Sequence, residues 1–76
     1  MRGPAITASI RPAERHTLRQ LNERDGDFVP FYRKGDLISC AALAHAGYAR
    51  RHAIYPHHYR ITPQGEYYLE RLARAD

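Results

Sequence analysis

The sequence predicts a mostly helical α+β fold in which a two-stranded β-hairpin separates the second of three helices from the third. Three observations predict it. Leucines recur at helical spacing near the N-terminus, inward and outward residues alternate over residues 48–62, and a Thr-Pro pair follows that alternation. An alanine-rich segment before the alternation adds another helix, which makes the order helix, helix, hairpin, helix.

The first helix is predicted over residues 12–24. Pro12 suits the first turn of a helix, because its missing N–H would be unpaired there in any case. Leu18 and Leu21 begin an apolar stripe, and Asp25-Gly26 ends the helix because glycine accepts the left-handed closing conformation.

An aromatic cluster follows at residues 28–32. Pro30 lies inside it and blocks a continuous helix through the preceding residue. We expect the aromatic side chains to seal the floor of the core, and we expect residues 33–35 to form an exposed turn.

The second helix is predicted over residues 37–46. Asp36 has the side chain of an N-cap, since its carboxylate can accept N–H groups from the first turn, and Gly47 is a typical C-terminal stop. We expect Ala41 to face inward, and Cys40 to be a small buried core residue rather than a nucleophile or redox sensor.

The hairpin is predicted over residues 48–62, with Pro56 in its turn. In the second arm Tyr59 and Ile61 share one face, as the two-residue period of a strand requires, while His58 and Arg60 share the other.

The third helix begins with a cap and a proline, Thr62-Pro63. Gly65 follows inside its first turn. A glycine in a helix costs about 1 kcal/mol relative to alanine, so we expect Gly65 to allow a close packing contact.

Composition narrows the class of protein. The chain has 76 residues and a formal net charge of +4. Residues 37–65 contain three arginines and four histidines but no acidic residue, which is the pattern expected of a polyanion-binding surface. A solvated basic surface without a partner would have the same composition. We expect a flexible N-terminal arm at residues 1–11 and a single domain at residues 12–76.

Several absences shape further expectations. The single cysteine excludes an intrachain disulfide, and the longest apolar run is too short for a membrane helix. The N-terminus lacks the apolar stretch of a signal peptide. We therefore expect a cytoplasmic protein without a membrane partner.

Two stretches carry a family resemblance. Residues 43–51 are similar to the end of a recognition helix, its closing glycine and the start of a wing, and residues 59–65 are similar to the returning wing strand and the Thr-Pro-x-Gly start of the next helix. Together they make residues 37–72 resemble the winged helix-turn-helix regulators of bacteria, such as the MarR, PadR and ArsR groups.

The resemblance implies a transcriptional regulator of a bacterium or phage that binds duplex DNA. The helix over residues 37–46 would enter the major groove, and the hairpin would lie along the backbone or in the minor groove. Arginines of the hairpin would neutralise phosphates of the DNA backbone. The unpaired N–H groups at the start of the recognition helix could hold a further phosphate. The DNA-binding residues expected on this basis are Arg33, Lys34, Ser39, His45, Arg50, Arg51, His52, His57, His58 and Arg60.

The sequence also departs from those regulators. Their separate second helix would have to be a single turn or absent here, because only residues 26–35 are available for it. The recognition helix has no Arg, Asn or Gln, the residue types that most often read bases. A winged helix that binds protein through its flat alanine-rich helix is therefore the alternative function, since a fold does not determine function.

Other expectations concern chemistry and assembly. We expect no enzyme activity, because no nucleophile, base and orienting group stand out as a set. We expect no cofactor and no metal, because neighbouring side chains on a strand, such as His57 and His58, point to opposite faces. A homodimer through the terminal helices, residues 12–24 and 63–75, is a further expectation, with Tyr67 at its interface.

Overall fold

A computed structural model describes residues 9–74. Within that range the chain forms three helices and a three-stranded antiparallel sheet. In chain order the elements are α1 (Pro12–Asn22), β1 (Val29–Pro30), α2 (Lys34–Ala46), β2 (Ala49–Arg51), β3 (His58–Ile61) and α3 (Pro63–Arg74). Strand β3 is central, in the order β1-β3-β2. The class is α+β. Most of the predicted N-terminal arm, residues 1–8, lies outside the described residues.

Helix α1 begins at the predicted proline. The backbone N–H of Arg11 donates to Oε1 of Glu14 at 3.0 Å, so one N–H left unpaired at the helix start is satisfied. The helix ends at Asn22, two residues before the predicted end, and Asp25 and Gly26 then adopt φ values of 53° and 86°. Ile10, just before the helix, is buried in the core.

Helix α2 begins earlier than predicted. Its N-cap is Arg33, so residues 34 and 35 form its first turn and the predicted exposed turn and Asp36 N-cap are wrong. Asp36 is the third helical residue. An acidic side chain is favourable at either position because both lie near the positive end of the helix dipole, so residue type alone could not place the boundary. The predicted stop is confirmed, since Gly47 has a φ of 91°.

Strand β1 was not expected from the sequence. Val29 pairs with Tyr59 and Pro30 with His58, and this short strand lies at the edge of the sheet, where a residue without an N–H is tolerated. The expectation that this aromatic segment seals the core is confirmed for Phe31, which is buried, and wrong for Tyr32, which is 82% exposed.

The predicted hairpin is confirmed. Strands β2 and β3 pair antiparallel, with Ala49 opposite Ile61 and Arg51 opposite Tyr59. Tyr59 and Ile61 share one face as predicted, and both are buried, so this side of the sheet faces the helices.

The core is built from all of these elements. Cys40 is fully buried, as expected of a core residue, and the ring of Tyr48 stacks on Tyr68 with centroids 4.8 Å apart. The buried apolar residues are Ile10, Leu18, Leu21, Phe31, Cys40, Leu43, Tyr48, Ala49, Tyr59 and Ile61.

Helix α3 is joined closely to the end of α2. The Thr62 hydroxyl donates to the carbonyl oxygen of Gly47 at 2.7 Å and accepts from the N–H of Gly65 at 3.1 Å, which confirms the predicted cap. A Cβ placed on Gly65 would lie 2.4 Å from the Tyr48 carbonyl oxygen and 2.8 Å from Cγ1 of Ile61. The predicted close contact is therefore confirmed.

This contact predicts opposite effects for one substitution at two helical glycines. Gly65→Ala should lower the free energy of unfolding by about 1–3 kcal/mol, because the backbone of residue 48 must move. Gly35→Ala is the matched control, since nothing lies within 4 Å of its Cβ position. It should raise the free energy of unfolding by about 0.4–1 kcal/mol. Urea denaturation measures both, and a Gly65→Ala protein as stable as wild type would contradict the account.

The Cys40 thiol should be unreactive in the folded protein. Burial, together with a smaller effect of the Asp36 carboxylate, raises its pKa to about 12. The thiolate is the reactive form, so at pH 8 a disulfide reagent such as DTNB should label the native protein at least a hundred times more slowly than the urea-unfolded chain. Fast labelling without denaturant would show that the thiol is accessible.

Candidate nucleic-acid interface

The face of the sheet that is turned away from the helices carries most of the predicted hairpin residues. We call it the outer face. Its members, on or next to the strands, lie on the side opposite the buried Ala49, Tyr59 and Ile61, and they are Phe28, Pro30, Arg50, His52, His58 and Arg60. The sheet therefore brings four of the predicted DNA-binding residues together.

Two arginines lie directly opposite each other on the outer face. Arg50 pairs with Arg60 across β2 and β3, and both side chains are exposed. In residues 9–74 the ion pair within 4.0 Å joins Arg74 to Glu70, so neither hairpin arginine has a carboxylate partner in that range. The two arginines therefore place two positive charges side by side, and neither forms an ion pair with a described residue.

Arg60 is positioned by two neighbours. Its guanidinium lies over the Phe28 ring, 5.3 Å from the ring centroid. The same group passes close to Gly26, because a Cβ built on that glycine would lie 3.5 Å from Nη2 of Arg60. Asp25 and Asp27 flank that glycine in the chain, so the acidic residues nearest in sequence to this contact lie at the turn after α1.

Arg51 lies on the other side of β2, because its partner in the ladder is the buried Tyr59. Its own side chain is exposed. The hairpin thus offers cations on both of its sides near the tip, which we define as residues 52–57.

His52 has a structural role in the tip. Its Nδ1 accepts the backbone N–H of Ile54 at 3.0 Å and that of Tyr55 at 3.1 Å. Its ring lies 4.6 Å from the ring of Phe28 and 4.8 Å from that of Tyr55. The Nδ1 atom of His52 is therefore engaged in holding the turn, and the direct contact of His52 with DNA stays a prediction.

The other two hairpin histidines differ in exposure. His57 is exposed at the tip, whereas His58 is half-buried and packs against Tyr55 with centroids 5.3 Å apart. Of the two, His57 is the better placed to reach a partner.

Helix α2 exposes one stripe of side chains to solvent: Lys34, Ile38, Ala41 and His45. Ser39, which was predicted to contact DNA, lies on the buried face of α2 and is 8% exposed, so this placement does not favour the predicted contact. The inward orientation predicted for Ala41 is wrong, because α2 presents Cys40 and Leu43 to the core and leaves Ala41 exposed. His45 is therefore the one predicted base-contacting residue of α2 that is exposed.

Arg33 and Lys34 are exposed at the start of α2, as predicted. They lie about 16 Å along the helix axis from His45. A cleft of about 410 Å³ opens beside Arg33, between the end of α1, β1 and the start of α2. Its lining contains Glu23, Asp36 and Arg24 as well, so its mixed charge does not favour an anion.

Three exposed apolar residues near these cations were not predicted as site residues. Ile38 is 61% exposed on α2, Ile54 is 76% exposed at the tip, and Tyr55 lies beside it. The sequence did hold a signal for Ile54, an aliphatic residue within a turn, where polar residues and glycine are usual.

Two further properties concern the described part of the chain as a whole. Across residues 9–74, no cluster of three or more His, Cys, Asp or Glu side chains is arranged to hold a metal ion. No helix in that range combines the length and apolar character needed to cross a membrane.

Comparisons with protein-family models, with curated proteins and with solved structures find no significant match to this chain. The functional inference therefore depends on the geometry and charge of the outer face and of helix α2.

Proposed function

We propose that this protein is a small winged-helix regulator that binds duplex DNA, and that most of its affinity comes from phosphate neutralisation by the hairpin. In this proposal β2, β3 and the tip are the wing, and α2 is the helix that faces the major groove. The order of helices and strands and the Thr62-Pro63 helix start support the winged-helix part. The chain between Asn22 and Lys34 forms a turn and β1, so the helix usual there is absent.

The observation that carries the proposal is the pairing of Arg50 with Arg60. Like charges directly opposite each other on a sheet are destabilising. Among the described residues no carboxylate lies within 4.0 Å of either guanidinium group. A polyanion would relieve this repulsion, because each guanidinium group can pair with a backbone phosphate, which carries one negative charge.

The spacing of the arginines suits a nucleic-acid backbone. Opposing residues in an antiparallel pair have Cα atoms about 4.5–5.5 Å apart, and the long arginine side chains can spread from there to successive phosphates. Arg51, on the other side of the strand, can reach a phosphate across the groove from that pair.

Helix α2 limits the sequence selectivity of this binding. Its exposed stripe offers one ammonium group, one imidazole and two apolar side chains, and it lacks the bidentate donors that distinguish bases. We therefore expect strong salt dependence and modest preference among duplex sequences.

The same stripe supports a second candidate function, a protein-interaction module. Ile38 is exposed in the middle of α2, and Tyr32 is exposed just before its start. Large apolar side chains on a small-residue helix are typical of a surface that packs against another protein. This candidate predicts that DNA affinity is absent even at low salt.

The test is the salt dependence of binding to a random-sequence duplex. Each phosphate contact contributes a slope of about 0.9 to log K against log salt concentration. Arg50→Ala/Arg60→Ala should therefore weaken binding to all duplexes alike and reduce the slope by about 1.8 if each arginine makes one contact. Fluorescence anisotropy at several salt concentrations measures both quantities.

The matched control is Arg71→Ala/Arg74→Ala, which removes the same net charge from α3. There Arg74 pairs with Glu70 and the Arg71 guanidinium lies over the Tyr67 ring. This variant should keep the wild-type slope. Equal losses in both variants would show a nonspecific charge effect, and an unchanged slope in the folded hairpin variant would contradict the proposal.

A further inference from the structure

The tip of the hairpin presents an aliphatic side chain to solvent beside the arginines. Ile54 is 76% exposed at the end of the turn, and it is preceded in the chain by Arg50 and Arg51. We propose that Ile54 is an apolar wedge that enters the minor groove of the bound duplex and partly unstacks one base step. This inference rests on the proposed function, because it assigns a specific role to the tip within the same DNA complex.

The backbone of the tip is held in place before any partner binds. The imidazole Nδ1 of His52 accepts the N–H groups of Ile54 and Tyr55 at 3.0 and 3.1 Å. The N–H of His58 donates to the Tyr55 carbonyl oxygen at 3.1 Å, and that of His52 donates to the His58 carbonyl oxygen at 2.8 Å. A turn fixed by four hydrogen bonds loses little conformational entropy on binding, which favours its use as a contact element.

Ile54 is the more exposed of the two large apolar side chains of the tip, at 76% against 56% for Tyr55. Tyr55 folds back, with its ring 4.8 Å from that of His52 and 5.3 Å from that of His58. The two neighbours in sequence are therefore used differently, since the aromatic side chain supports the turn and the aliphatic one extends into solvent.

The surrounding charge favours DNA as the occupant. No acidic residue occurs in residues 37–65, and the three arginines of that stretch lie on the two strands that lead to the tip. A minor groove is about 6 Å wide, which admits a single side chain but not a helix, and its negative potential attracts flanking cations. Proteins that kink DNA commonly combine such cations with an inserted aliphatic wedge.

A wedge also supplies selectivity that α2 lacks. Pyrimidine–purine steps such as TA unstack more easily than other steps, whereas A-tracts are stiff. A protein that inserts Ile54 should therefore prefer duplexes with a flexible central step, although it makes few hydrogen bonds to bases.

The experiment measures bending and affinity together, on end-labelled 20-base-pair duplexes with either a central TA step or an A-tract. Wild-type protein should bend the TA duplex by at least about 20°, seen as increased energy transfer between the ends, and should prefer it to the A-tract duplex. Ile54→Ala should lose the bend and the preference, and should bind the TA duplex about tenfold more weakly. Its salt slope should stay unchanged, because no charge is removed.

Two variants control the result. Ile54→Leu should restore the bend, since it returns an aliphatic side chain to the tip. Tyr67→Ala removes an exposed apolar side chain from α3, to which no DNA contact is assigned, and it should leave bending unchanged.

The outcomes separate this inference from the proposed function. Ile54→Ala protein that bends the TA duplex as wild type does would overturn the wedge and leave phosphate binding by the hairpin intact. Absence of wild-type binding to any duplex at low salt would overturn both. Binding to anionic lipid vesicles that requires Ile54, without DNA bending, would assign the tip to a membrane surface and overturn the wedge.

Discussion

The arrangement of the domain depends on two hydrogen bonds made by the Thr62 hydroxyl. The hydroxyl donates to the carbonyl oxygen of Gly47, the C-cap of α2, and accepts from the N–H of Gly65 in the first turn of α3. One oxygen atom therefore joins the two helices. The Thr62 N–H also donates to the Tyr48 carbonyl oxygen at 3.1 Å. The hairpin of β2 and β3 begins just after α2 and ends just before α3, so these hydrogen bonds hold the two ends of the hairpin together at the junction of the two helices.

Closure at the junction determines what the hairpin displays. With its two ends held together, Ala49 lies opposite Ile61, and the next pair along the ladder is Arg50 with Arg60. A slip of one residue would turn these arginines toward the core and expose the buried ones, because strand side chains alternate between faces. The charge of the outer face is therefore a consequence of the packing at the helix junction.

Residue patterns with a single physical solution were predictable from the sequence. Thr62-Pro63 can cap and begin a helix, alternation placed Tyr59 and Ile61 on one face, and Gly65 implied a close contact. The start of α2 was not predictable in the same way, since Asp36 suits the N-cap and the first turn equally well. Strand β1 has two residues, too few to show a period, and one of them is a proline.

The candidate site was predictable in its charge but not in its geometry. The acid-free stretch located the cations on the hairpin. Composition could not show that Ser39 faces the core, that His52 is engaged by the tip backbone, or that Ile38 and Ile54 are exposed. These features depend on the rotation of α2 and on the path of a turn, and both are set by tertiary packing.

The most direct test of the account is to map the DNA-contacting surface on the isotopically labelled protein. A two-dimensional ¹H–¹⁵N spectrum would be recorded at low salt during titration with a short duplex of random sequence. The account predicts that the largest shifts occur on β2, the tip and β3, that smaller shifts follow the exposed stripe of α2, and that the C-terminal half of α3 is unaffected. Shifts confined to α2 or α3 with an unchanged hairpin, or no shifts at all, would contradict it.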